Sequence, residues 1–188
     1  MRSAQKWLGI LAAATLLVGS AAPAAAGASD GTTLQANRLH DAAFTALPMG
    51  SITAQGYLKT QLFLQKDGHT GHLEELSPSL QNNAWSGGTG DAWERGPYHV
   101  RGLVALAYTL DDADLKAQAQ KWIDWTLASQ RENGAFGPSG TDLWARILML
   151  QAVRDYGEAT GDPRVMPFFD RFLRYELKTL LKTPVDPD

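Results

Sequence analysis

Gly90-Asp91-Ala92-Trp93-Glu94-Arg95-Gly96-Pro97-Tyr98-His99-Val100-Arg101 gathers two carboxylates, two arginines, two aromatics and a histidine at the mouth of a helix. Proline suits the first helical turn and pushes the residue before it out of the α region, so Gly96-Pro97 predicts the helix start. The polar groups ahead of it then project from a loop. Beyond Pro97, Val100, Leu103, Val104 and Ala107 recur at i, i+3, i+4 and i+7 as far as Leu110, an amphipathic helix. Part of the stretch returns: Asp142, Trp144 and Arg146 each lie 51 positions beyond Asp91, Trp93 and Arg95. One shared offset of that size predicts a repeat of helix pairs. The second copy has Ala145 where the first has Glu94 and lacks the Gly-Pro-Tyr-His that follows. What the copies share therefore reads as architecture, and what is unique to the first reads as function.

The flanking chain extends the alternation. Asp112 is placed to cap a helix whose face is Leu115, Ala119, Trp122, Ile123 and Leu127, with Asn133-Gly134 as a left-handed stop. Asp142 opens a helix with apolar residues on nearly every side, which predicts burial all round. Gly161-Asp162-Pro163 supplies a stop, an N-cap and a helical proline for a last helix carrying Val165, Phe168, Phe169, Phe172 and Leu173 to about Lys182. Upstream, Leu47-Pro48-Met49-Gly50 reads as an anchor, and Ser51 as the cap of a helix to about Gln65 with Ile52, Leu58, Leu62 and Phe63 on its face. Asp67-Gly68 ends it. From His69 to Gly90 the punctuation by Pro78, Asn82-Asn83 and Gly87-Gly88-Thr89-Gly90 predicts a long loop with one short helix near Leu73 to Leu76.

A buried helix followed by an amphipathic one, twice over, suits a toroid of inner and outer helices: an all-α chain forming the N-terminal portion of an (α/α)6 barrel. Six pairs at about 50 residues each need roughly 300 residues, so the expectation is an incomplete barrel whose last helices show apolar faces without neighbours and self-associate.

Composition sets the compartment. The 188 residues are 44% hydrophobic and 20% charged, as in a globular domain with a real core. Residues 1–26 read instead as a secretory signal: Arg2 and Lys6, an apolar run from Leu8 to Val18, then Pro23 and Ala24-Ala25-Ala26, with cleavage before Gly27. Residues 27–46 form an extended lead-in, and residues 47–188 the partial barrel. The expected location is secreted or periplasmic, with no membrane segment after signal cleavage. There is no cysteine, hence no disulfide and no thiolate metal site. Without the leader the chain keeps about 15 Lys and Arg (17 less two) against 20 Asp and Glu, a net charge near −5 that argues against nucleic acid as partner.

At Leu47-Pro48-Met49-Gly50-Ser51-Ile52, Gly71-His72-Leu73, Trp93-Glu94-Arg95-Gly96-Pro97-Tyr98, Lys121-Trp122-Ile123-Asp124-Trp125 and Thr160-Gly161-Asp162-Pro163-Arg164-Val165, the chain resembles the β-L-arabinofuranosidase-like proteins of glycoside hydrolase family 127. The likeness runs from Leu47 onward, and Trp-Glu-Arg-Gly-Pro-Tyr is its most specific part. It implies an (α/α)6 catalytic barrel followed by β-sandwich domains, and retaining exo-hydrolysis of L-arabinofuranosides in plant glycans. It also implies a zinc-bound cysteine nucleophile and a glutamate acid/base, both beyond the first third of such proteins. The expected acid/base and nucleophile would thus lie past Asp188, with no cofactor in this chain and any zinc belonging to the full-length enzyme.

Glycosidic cleavage usually needs two carboxyl groups flanking the bond. Glu94 is the first candidate here, as a group gripping sugar hydroxyls; its bland alternative is a capping box with Asp91. Asp91 and Asp142 read first as N-caps that could still face the site. Arg95 and Arg146 offer planar donor forks to hydroxyl pairs, or else bridge to the aspartates of their own repeat copy. Trp93, Tyr98 and Trp144 can stack on a sugar face, with core packing favoured for Trp144. His99 can donate to a hydroxyl, although a histidine in a first helical turn is more often a surface residue. His69, His72 and Glu75 lack the i, i+4 spacing of a zinc helix, and the glycine run at 87–90 lacks the Lys-Ser/Thr of a phosphate cradle. The partner expected is an oligo- or polysaccharide. The alternatives are another α/α-barrel enzyme, a lyase or unsaturated uronyl hydrolase, and a non-catalytic helical-repeat protein that binds glycans or proteins.

Overall fold

The computed structural model describes residues 43–182; the expected signal sequence, residues 1–26, and most of the expected lead-in lie outside the described residues. The described chain is all-α, with no strand: α1 Gly56–Lys66, α2 His69–Leu76, α3 Pro78–Gln81, a 3-10 turn Ala84–Ser86, α4 Arg95–Leu110, α5 Ala113–Ala128, α6 Leu143–Thr160 and α7 Val165–Leu180. No helix among these residues is long and apolar enough to cross a membrane.

The central element is α4. Its Val100, Leu103, Val104 and Ala107 are fully enclosed, each large aliphatic side chain contributing about 1.5–3 kcal/mol by leaving water. Asp112 caps α5 as expected, its Oδ1 accepting from the backbone N–H groups of Asp114 (3.1 Å) and Leu115 (3.0 Å). Leu115, Ala119, Trp122 and Ile123 then face the core, while Leu127 is only half-buried. Asp142 caps α6, accepting from Ala145 N–H at 3.0 Å. The starts of α4 and α6 lie side by side, joined by Thr141 Oγ1 donating to the Ala92 carbonyl (2.8 Å), and their far ends meet where Tyr108 and Tyr156 stack edge to face. They therefore run parallel. Two polar ties join the α7 region to the α5 region: Arg164, just ahead of α7, with Asp124 of α5 (2.8 Å), and Arg171 of α7 with Gln130, just after α5 (2.6 Å). Two successive helix pairs, each turning back on itself, are the repeat that the 51-residue offset predicts.

Several boundaries differ from the sequence expectation, each for a local reason. Ser51 does not cap α1; its N–H closes a turn on the Pro48 carbonyl (3.0 Å), and the helix begins only after Gln55. Of its expected face only Leu62 packs against the core, with Ile52 and Leu58 exposed. The stretch from His69 to Gly90 is mostly helical turns. Pro78 starts α3, and the Asn83 side chain accepts from Trp85 N–H (2.9 Å) to start the 3-10 turn, so the punctuation both ends and begins short helices. Helix α4 begins at Arg95, two residues before Pro97. Gly96 has no Cβ to clash with the proline ring, and the missing proline N–H falls among the first four, which need no helical partner.

Gly134 is not the stop of α5, which ends at Ala128; it adopts φ +96° in a later turn. Asp162 lies ahead of α7 rather than at its cap: Val165 N–H bonds its carbonyl, and its carboxylate is gripped by Arg164. That guanidinium, with lesser help from the Arg164 N–H and the Tyr156 hydroxyl against the cost of burial, holds Asp162 well below the usual carboxylate range. Gly161 does end α6, in the left-handed region at φ +66°.

Helix α6 is not buried all round. Ala145, Leu148, Met149, Ala152, Val153 and Tyr156 are enclosed, but Trp144 and Ile147 face outward. Helix α7 buries Val165, Phe168 and Phe172 on one side and exposes Met166, Leu173, Leu177 and Leu180 on the other. The deepest aromatic cluster is centred on Phe136, which lies in the α5–α6 connection and packs against Trp85 (5.9 Å between ring centres), Phe168 and Phe172 (4.8 Å each).

Candidate functional site

The two repeat copies meet at the N-terminal ends of α4 and α6, and they exchange bonds. Trp93 Nε1 donates to Asp142 Oδ2 (2.9 Å), and Trp144 Nε1 donates to Glu94 Oε2 (2.6 Å). Both indoles remain about half exposed, as does Tyr98. Trp144 is thus not core packing; it flanks a surface ledge opposite Trp93. The result is two aromatic faces, each tied at its polar atom to a carboxylate of the other copy. Indoles fixed in this way can offer a sugar ring their apolar faces without first losing rotamer freedom.

The remaining candidates divide around this ledge. Asp91 is not an N-cap: its Oδ1 accepts from Arg95 Nη1 (2.8 Å), and its carbonyl accepts from Ala84 N–H (2.9 Å). The Asp91–Glu94 capping box is absent, since Glu94 occupies the N-cap position of α4 in helical geometry without a side-chain cap bond. Arg95 makes the bridge expected within its copy, but Arg146 does not, its Nε donating instead to the Phe136 carbonyl (3.1 Å). Asp142 keeps its cap role and faces the ledge as well. Its carboxyl lies below the ordinary aspartate range because the Ala145 N–H, against the cost of burial and with help from Trp93, favours the charged form. At neutral pH it accepts hydrogen bonds and has no proton to give.

Next to the ledge, a cleft of about 430 Å³ opens between α2–α3 and α4. Glu94, Arg95 and Tyr98 line it from the ledge side and Thr70, Ser77 and Ser79 from the other. His99 also lines it, and it is no surface residue: 2% of its side chain is exposed, and its ring stands edge-on to Trp122 at 5.6 Å. Among the described residues Nδ1 has no hydrogen-bond partner, and the nearest acceptor to Nε2 is a Glu74 carboxylate oxygen at 3.7 Å. Leaving a buried polar group unsatisfied costs about 1–3 kcal/mol.

Glu74, on α2, is the residue that the sequence reading missed. It accepts from Trp122 Nε1 (2.6 Å) and Lys121 Nζ (3.1 Å), and its Oε1 lies 3.7 Å from His99 Nε2. Burial alone would raise its carboxyl, yet His99, Trp122 and Lys121 together bring it down to about 2. One signal could have found it, since Glu74 lies one helical turn beyond the buried Gly71. His72 and Glu75 sit on the exposed side of α2 with their side chains 3.3 Å apart.

The zinc–cysteine chemistry that the resemblance implies has no donor set here. The chain has no cysteine, and no three His, Asp or Glu side chains converge among the described residues. Compared with protein-family models, with curated proteins and with solved structures, the chain finds no match.

Proposed function

We propose that the chain is the sugar-gripping front of a secreted glycoside hydrolase of the β-L-arabinofuranosidase-like kind, built on an (α/α)6 barrel and acting on arabinose-containing plant glycans. The observation that carries the proposal is the ledge. Trp93, just ahead of α4, and Trp144, in the first turn of α6, stand half exposed, each indole N–H held by a carboxylate of the other repeat copy. The resemblance to glycoside hydrolase family 127, strongest at Trp93-Glu94-Arg95-Gly96-Pro97-Tyr98, suggests the substrate class. In this reading Glu94 and Asp142 position indoles and sugar hydroxyls, and proton transfer belongs to groups outside the described residues.

A rival reading, non-catalytic glycan binding, draws on the same ledge, because an ionised Asp142 engaged by backbone and indole suits recognition more than acid catalysis. Affinity electrophoresis through gels containing arabinan, with dextran as control, tests what the two share. Arabinan should retard the chain, and Trp93→Ala and Trp144→Ala should each abolish most of the retardation without lowering the unfolding midpoint by more than a few degrees. Hydrolysis of p-nitrophenyl β-L-arabinofuranoside separates them, since binding without turnover selects the rival. Release of an unsaturated sugar from an acidic glycan would select lyase chemistry. Unretarded migration in arabinan would overturn the proposal.

A further inference from the structure

From the cleft beside the ledge we infer that His99 forms the floor of a subsite for a single neutral sugar residue. The inference deepens the carbohydrate reading but rests on different side chains. Three features converge. First, His99 lines the cleft with only 2% of its side chain exposed; among the described residues its Nδ1 has no hydrogen-bond partner, and its Nε2 faces the Glu74 carboxylate at 3.7 Å. With Nε2 turned toward Glu74, Nδ1 is the ring atom left for a sugar hydroxyl, which can donate or accept.

Second, the walls are hydroxyl-rich. Thr70, Ser77, Ser79 and Tyr98 line the cleft, with the two serine hydroxyls 2.9 Å apart. Glu94 is the wall's carboxylate and Glu74 lies behind the histidine, while the one lining cation, Arg95, is already bonded to Asp91. An anionic ligand would meet two carboxylates and a single cation already paired with a third, which favours a neutral polyol. Third, the cleft has room held open by a glycine. Gly102 sits in the middle of α4, where glycine is a poor helix former, and a Cβ built on it would meet no atom within 4 Å. A volume of about 430 Å³ lies at the lower end of small-ligand sites, of about 300–1,000 Å³, and suits one sugar residue.

The experiment labels the histidines of the chain with ¹⁵N and follows their ring nitrogens during titration with methyl β-L-arabinofuranoside, then with D-galacturonate. The His99 resonances, identified by their loss in His99→Phe, should shift with the neutral glycoside while those of His69 and His72 stay in place. They should not move with galacturonate. Gly102→Leu should abolish the shift while leaving the unfolding midpoint at or above that of the parent chain. His99→Phe should raise the midpoint of the ligand-free protein and remove the added stability that the glycoside confers. Ser77→Ala should weaken binding by about three- to tenfold, the loss of one net hydrogen bond.

Neither Trp93 nor its partner Asp142 lines the cleft, so the His99 shift should persist in Trp93→Ala whether or not the ledge binds arabinan. His99 resonances indifferent to the glycoside would overturn the inference. So would a His99→Phe chain less stable than the parent, the mark of a purely structural histidine, or a response to galacturonate alone.

Discussion

Glu74→Gln tests how the cleft floor is held, because Glu74 ties α2 to α5 underneath His99. The carboxyl of Glu74 sits at about 2 against an ordinary value of 4.5. At about 1.4 kcal/mol per pH unit, that difference sets a ceiling near 3 kcal/mol on what its charged form adds to stability. With 21% of the side chain exposed, solvent screening brings the expected loss to about 2 kcal/mol. The sign follows from the direction. A folded-state carboxyl held below its unfolded value contributes in full above about 4.5 and loses that contribution as the pH falls toward 2. Glutamine retains the shape and an acceptor for Trp122 Nε1 but cannot pair with Lys121. Urea unfolding of both chains at about pH 7, 5.5 and 3 should therefore show a gap of about 2 kcal/mol at the first two and less than half of it at the third. A gap that stays constant from pH 7 to 3, or none at pH 7, would show that Glu74 contributes through packing and not through charge.

Phe136→Ala should cost about 4 kcal/mol, within the range for emptying a fully buried aromatic site, because it removes the ring that Trp85, Phe168 and Phe172 all touch. Chemical denaturation reads this directly, and a loss below about 1 kcal/mol would mean that the site collapses freely. Asp142→Ala should cost about 1 kcal/mol as a lost helix cap and release the Trp93 indole N–H, so arabinan retardation should weaken along with stability. Asp142→Asn retains an acceptor for the cap and should recover most of the stability.

The backbone of this fold was legible wherever one residue acts through its own helix. Asp112 and Asp142 announce helix starts because a short carboxylate reaches the next turn's N–H groups whatever lies around it. The inward phase of α6 is also readable: Ala145, Leu148, Met149, Ala152, Val153 and Tyr156 keep helical spacing, and Trp144 and Ile147 fall outside it. Trp144 was expected in the core, but its phase on α6 puts it outside that set. His99 was expected at the surface as a first-turn histidine, yet it precedes Leu103 by four and so belongs to the buried side of α4. What could not be read depends on distant partners. Phe136 lies between turn residues with no periodicity to mark it, and Glu74 is told from its neighbour Glu75 only by Trp122 and Lys121, nearly 50 positions away. Residues 69–90 escaped because proline and asparagine can close one short helix and open the next, and composition does not say which.

The difference between the repeat copies has a physical origin that sequence comparison alone assigns to function. Ala145 stands where the first copy has Glu94, and it is completely enclosed. A glutamate there would bury a charge at a cost of several kcal/mol unless a partner came with it. At Glu94 the same side chain lies at the cleft edge and accepts the Trp144 indole, while Asp91 is taken up by Arg95. The copies therefore cannot be interchanged: the first supplies the carboxylate that fixes the second's tryptophan, and the second's cap residue fixes the first's. Because the bonds that join the repeats are also those that orient both indoles, a substitution in the ledge acts on packing and on recognition together. Stability and glycan retention must accordingly be measured on the same variant before either effect is assigned to it.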